Sequence, residues 1–134
     1  MEEQDGRYGN MAEPKKLWAA EDITWKPLEG GPPGVMSATL WGDISKGPYG
    51  GLIKFPAGFE APLHTHSNDV RIVVVKGAYI YLPEGGTEKR FGPGSYVSYP
   101  AGDRHTTRGD KNSESIFLLE QPGKFDIKLV EAKK

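Results

Sequence analysis

The chain contains three histidines, His64, His66 and His105, and no cysteine. Imidazole is the commonest side-chain ligand for a transition metal, and two of these residues stand one apart in His64-Thr65-His66. On an extended strand, residues i and i+2 project from the same face, so the two rings converge on one point. His105 belongs to a distant segment and must arrive from another strand or turn, where its nitrogen completes one face of a coordination sphere. A lone histidine is more often a surface or structural residue, so the arrangement carries this reading. Without cysteine there is no thiolate ligand, disulfide or cysteine nucleophile. With every histidine assigned to one cluster, none is left for a serine–histidine–acid set.

Elements able to position these rings are short and numerous. The 18 glycines and 11 prolines punctuate turns, which favours many strands over long helices. Strand-like runs extend over Val35–Asp43, Gly50–Gly58, Val70–Gly77, Ala78–Pro83, Gly94–Pro100 and Ser115–Gln121, each bounded by Gly, Pro, Asn or Asp. Such spacing predicts an all-β sandwich or closed barrel, and no amphipathic helical pattern or internal repeat competes with it. Residues 1–16 are polar and aperiodic and read as a leader, leaving 17–134 as one domain. Trp18 and Trp25 mark an arm that packs on the domain or on a second subunit.

Two stretches resemble the paired motifs of the cupin superfamily. Gly58 to Gly77, GFEAPLHTHSNDVRIVVVKG, keeps the first motif's terminal glycines and its HxH; Gly94 to His105, GSYVSYPAGDRH, keeps the second motif's glycine, PxG turn and histidine. The resemblance implies an antiparallel jelly-roll β-barrel. It also implies one divalent transition metal on His64, His66 and His105, with iron(II) or manganese(II) foremost and nickel(II), zinc(II) or copper(II) as alternatives. Two positions depart from the pattern: Val70 replaces the usual glutamate and Gly109 the usual asparagine.

Counting back from Gly77 places Val70 at the acidic position, with Val70, Ile72 and Val74 on one strand face and Asp69, Arg71, Val73 and Val75 on the other. A one-residue bulge after His66 would instead turn Asp69 inward as a substitute ligand, but it breaks the register that Gly77 sets. The favoured site therefore has three neutral nitrogens and no carboxylate, leaving a bound ion its full charge as a Lewis acid. Cupins with three histidines include enzymes that cleave small β-diketones with iron and dioxygen, and the chain resembles that subset. The implied substrate is a small enolisable or anionic molecule. A binding or sensor module, and a sugar-binding or isomerase-type cupin, are the alternatives.

Around the metal, Val70, Ile72, Phe55, Tyr79, Tyr81, Tyr96 and Ser98 are expected to line the pocket. Glu60, Asp69 and Glu120 are candidate acceptors for ligand imidazole N–H groups. Arg71, Arg104 and Arg108 flank the motifs; Arg71 falls on the outer face, and the other two are expected at the barrel mouth. Gly30-Gly31, Gly50-Gly51 and Gly85-Gly86 lack the strand-to-helix context of a phosphate loop.

The remaining composition narrows the partners. Seventeen basic against 18 acidic residues, a net charge of −1, offer no global attraction to nucleic acid or anionic lipid. No apolar run is long enough to cross a bilayer, and the default location is the cytoplasm. The run Ile72 to Val75 is apolar on both strand faces, which predicts a covering sheet or a homodimer.

Overall fold

A computed structural model describes residues 15–131; the leader expected over 1–16 falls almost wholly outside them. One 3₁₀ turn (Ala20–Asp22) precedes eleven strands: β1 (Lys26–Pro27), β2 (Met36–Gly42), β3 (Tyr49–Phe55), β4 (Glu60–Thr65), β5 (Val70–Lys76), β6 (Tyr79–Pro83), β7 (Lys89–Phe91), β8 (Tyr96–Tyr99), β9 (His105–Arg108), β10 (Ser115–Gln121) and β11 (Lys128–Leu129). They form two antiparallel sheets, one ordered β1-β2-β3-β10-β5-β8 and the other β11-β4-β9-β6-β7. From β3 onward, consecutive strands alternate between the sheets except at the β6–β7 hairpin, as in a jelly roll.

Alternation builds the core. In β10, SIFLLEQ, every second residue is buried, so Ser115, Phe117, Leu119 and Gln121 face the other sheet. Strand β5 presents Val70, Ile72 and Val74 to the same interior, each 3% exposed or less. Fully burying a side chain such as Ile72 contributes about 1.5–3 kcal/mol. Phe55, Phe59, Tyr79 and Phe117 meet in a cluster of inclined and edge-on rings, with Phe55 and Phe59 centroids 4.3 Å apart.

Register also corrects one expectation. Strand β8 pairs with β5 as Val70↔Tyr99, Arg71↔Ser98, Ile72↔Val97 and Val73↔Tyr96. Paired residues share a face, so Tyr96 and Ser98 point outward with Arg71 and Val73, and Tyr96 is 59% exposed. Val97 and Tyr99 take the inward positions expected for Tyr96 and Ser98. The missed signal was the placement of Ser98 in one phase and Val97 in the other.

Two local devices position the histidines. Between β4 and β9 the register runs Ala61↔Thr107 and then His64↔His105, three steps on one strand against two on the other. The extra residue, at Pro62-Leu63, is a bulge that lets both Ala61 and His64 face inward; proline suits such a place because it has no N–H to donate. Gly77 turns β5 into β6 with φ of 73°, and a Cβ there would lie 2.6 Å from the Glu114 carbonyl oxygen. Only glycine fits both demands.

The N-terminal arm packs on the domain itself. Trp18 Nε1 donates to the Leu40 carbonyl at 3.0 Å, and the Lys54 ammonium sits 4.1 Å from the Trp25 ring centroid. Among the described residues, no helix is long and apolar enough to cross a membrane.

Candidate metal centre

His64 and His105 stand directly opposite one another on adjacent strands of the five-stranded sheet, and His66 follows two residues beyond His64. The three ring centroids are 4.4 to 5.5 Å apart. One nitrogen from each ring lies within 4.8 Å of the other two.

Backbone carbonyls orient all three rings. His64 Nδ1 is 2.7 Å from the Pro62 carbonyl, His66 Nδ1 is 2.7 Å from that of Asp126, and His105 Nδ1 is 3.1 Å from that of Asp103. A carbonyl oxygen only accepts, so each Nδ1 carries the proton and each Nε2 is left with a free lone pair. His105 also has the Asp103 carboxylate 3.2 Å from its Nδ1. Glu60, Asp69 and Glu120, expected as acceptors, do not take that part. Glu60 is exposed, Asp69 accepts from the Ala101 N–H at 3.0 Å, and Glu120 accepts from Trp41 Nε1 at 3.3 Å.

Electrostatics keep these rings neutral. Burial pushes the His64 and His66 imidazoles below their ordinary range. Burial and the two neighbouring imidazoles push His105 down to about 4. His105 is 0% exposed, and its Nε2 is buried with no hydrogen-bond partner. Leaving such an atom unsatisfied costs about 1–3 kcal/mol, which an electrophile at that position would offset. Nitrogens around one ion are about 3–3.5 Å apart when bonds are about 2.0–2.1 Å long, so ring closure of roughly an ångström fits the residues to a divalent metal.

The two sequence motifs are tied to each other beside the site. Gly102 N–H donates to the His66 carbonyl at 2.9 Å, and Asp69 holds the adjacent Ala101 N–H. This gives Asp69 a structural role in place of ligation, and it is absent from the histidine cluster. Val70 instead lies on the wall of the interior cavity beside His64 and His66.

That cavity, about 60 Å³, is also lined by Ile72, Phe55, Tyr79 and Tyr99. Tyr81 does not line it. Its ring centroid is 5.3 Å from that of Tyr99 and 5.2 Å from that of His105, and its hydroxyl donates to Asp103. Tyr79 and Tyr99 pair through their hydroxyls at 2.8 Å; burial pushes Tyr79 up to about 12 and raises Tyr99 as well, so both stay protonated at neutral pH. Arg104 and Arg108 are held outside by Glu84 and Glu88.

Nothing in the sequence pointed to the segment from Gly123 to Val130, which crosses the site as a strap. Phe125 and Ile127 line the cavity, and Val130 N–H donates to the Leu63 carbonyl at 3.0 Å. The Asp126 carboxylate accepts from the Ser67 backbone at 2.7 Å and from its hydroxyl. Burial works against that carboxylate's charge, but the Ser67 bonds prevail and hold it below the usual range.

A two-sheet antiparallel jelly roll with three inward imidazoles defines a cupin of the RmlC-like kind. Within that class, the chain belongs to the family described as a domain of unknown function, DUF4437, which matches residues 16–133. The polyketide cyclase RemF from Streptomyces resistomycificus is similar in fold, with a TM-score of 0.71 and 17% identity over 90% of this chain and 88% of that one. An RmlC-like cupin from Ralstonia eutropha gives a TM-score of 0.66 and 25% identity over 85% and 74% of the two chains. The dimethylsulfoniopropionate lyase DddQ from Ruegeria pomeroyi is 35% identical over 57 residues, 42% of this chain. The chain spans only 28% of that relative's length.

Proposed function

We propose that the protein is a metal-dependent enzyme that acts on a small oxygenated, enolisable or anionic molecule at His64, His66 and His105. The unpartnered, buried Nε2 of His105 carries this reading, because a neutral lone pair enclosed beside two others suits a cation. A divalent ion there, iron(II) or manganese(II) foremost, supplies Lewis acidity undiminished by any carboxylate ligand. The chain's own part is to hold three Nδ1 protons on carbonyls, keep water away with Val70 and Ile72, and present the neutral Tyr79 and Tyr99 hydroxyls. The three-histidine resemblance favours oxidative cleavage of a β-diketone, with dioxygen as co-substrate. The partial match to a lyase favours elimination without an oxidant. Both proceed through a carbanion or enolate that a nearby positive charge stabilises.

Elemental analysis of protein purified without added metal should find one divalent ion per chain, lost in His64→Ala and His105→Ala. A metal-free wild type, or variants that retain the ion, would remove the central claim. Oxygen uptake by the iron-loaded protein on a panel of β-diketones and hydroxy acids separates the two chemistries. Turnover without uptake selects the lyase, and no turnover at all selects a binding role. The exposed Val73, Val75 and Tyr96 on the outer face of the six-stranded sheet support a homodimer; a monomeric mass by light scattering at micromolar concentration would count against it.

A further inference from the structure

The cavity wall says more about the ligand than the metal ligands do. Among the described residues lining it there is no Lys, Arg, Asp or Glu. Its glutamine and two tyrosines already have hydrogen-bond partners. Gln121 accepts from the Tyr49 hydroxyl and donates to the Asn68 carbonyl at 3.3 Å, and the Tyr79 and Tyr99 hydroxyls are paired. The nearby guanidinium groups of Arg90, Arg104 and Arg108 are bound outside by Asp110, Glu84 and Glu88. A phosphate or a sugar entering this space would lose its water and, apart from the proposed metal, meet no charged side chain and few polar groups to replace it.

We infer that the ligand is a small monoanionic oxygen chelate with an apolar body, and that Phe125 and Ile127 on the C-terminal strap set the length of that body. The chelating head takes the positions left open by the three imidazoles, so this inference rests on the proposed metal site. The body lies against Ile72, Phe55 and Phe117, where only apolar surface is offered. Sugar acids and sugar phosphates are excluded by the same wall, which separates this cavity from one built for an isomerase acting on them. Phe125 stands beside the site, its ring centroid 5.7 Å from that of His66. The strap that carries it is joined to the histidine segment at Ser67, Asn68 and His66.

The test uses the full chain loaded with cobalt(II), titrated through its visible bands with straight-chain hydroxamates from acetyl to octanoyl, and with inorganic phosphate, gluconate and glucose 6-phosphate. Affinity should rise about three- to fourfold per added methylene and then level off. Phe125→Ala, or Ile127→Ala if the first does not fold, should move the plateau to a longer chain. The phosphates and gluconate should leave the spectrum unchanged. A series flat in chain length, a plateau unmoved in the strap variant, or saturable binding of glucose 6-phosphate overturns the inference while leaving the metal site standing. Failure to take up cobalt overturns the metal site and this inference with it.

Discussion

The two sheets enclose one cavity and contribute different chemistry to it. The six-stranded sheet supplies mostly apolar wall, Ile53, Phe55, Val70, Ile72, Phe117 and Leu119, with Tyr99 and Gln121 as its polar members. The three clustered imidazoles all come from the five-stranded sheet, from β4 with the residue just beyond it and from β9. Their outer faces differ in the opposite sense. The sheet with the apolar inner face exposes Val73, Val75 and Tyr96, whereas the sheet with the histidines carries Arg108 bound to Glu88 and Arg90 bound to Asp110. A wall made of apolar side chains is held by volume, and a ligand set is held by hydrogen-bond direction, so the two sheets should respond to different substitutions.

The largest effect on folding is expected from the six-stranded sheet. Ile72→Ala leaves a cavity at a residue 1% exposed and should lower stability by about 2–5 kcal/mol in denaturant titration, while the folded fraction binds metal as before. Loss of metal affinity in step with stability would dissolve the division between the sheets. The converse is His105→Leu, which should weaken metal binding at least about a hundredfold yet leave the metal-free protein as stable as before or more so, since the unpartnered Nε2 is gone. Calorimetry with and without metal reads both quantities.

Smaller effects sharpen the contrast. Val70→Glu places a carboxylate on the apolar wall beside His64 and His66; it should lower the stability of the metal-free protein and shift relative affinity toward manganese(II), on the order of tenfold. An unchanged metal profile would mean that the side chain does not reach the ion. The last expectation concerns pH. His64, His66 and His105 all titrate lower in the folded protein than in the unfolded chain, His105 at about 4. The unfolded state therefore takes up protons first. Stability of the metal-free protein should be level above the ordinary histidine pKa of about 6.5, and fall as pH drops from there toward 4. His105→Leu should flatten that slope, and Ile72→Ala should keep it.

Much of this division was legible in the sequence. Gly77 and the period of two fixed Val70, Ile72 and Val74 as one face, and the His64-Thr65-His66 spacing with His105 marked the rings that meet. What escaped was set by partners rather than by pattern. Tyr96 and Ser98 read as inward from the sequence because a four-residue strand has two phases of nearly equal appearance, and only its pairing with β5 decides between them. The acceptors for the imidazole N–H groups are carbonyls of Pro62, Asp103 and Asp126, and a backbone carbonyl has no residue type to recognise. The bulge at Pro62-Leu63 left a trace in its proline, whereas the strap left none, being short, irregular and far along the chain.

The strap has a consequence for how the chain is made. His66 is separated by 60 positions from the Asp126 carbonyl that fixes its ring, and by half that distance or more from the strand that brings His105. As the polypeptide leaves the ribosome, the first two imidazoles emerge long before anything can orient them. On the proposed reading of the site, selective metal capture waits until the strap has been synthesised and docked, because before then only an unoriented histidine pair is on offer.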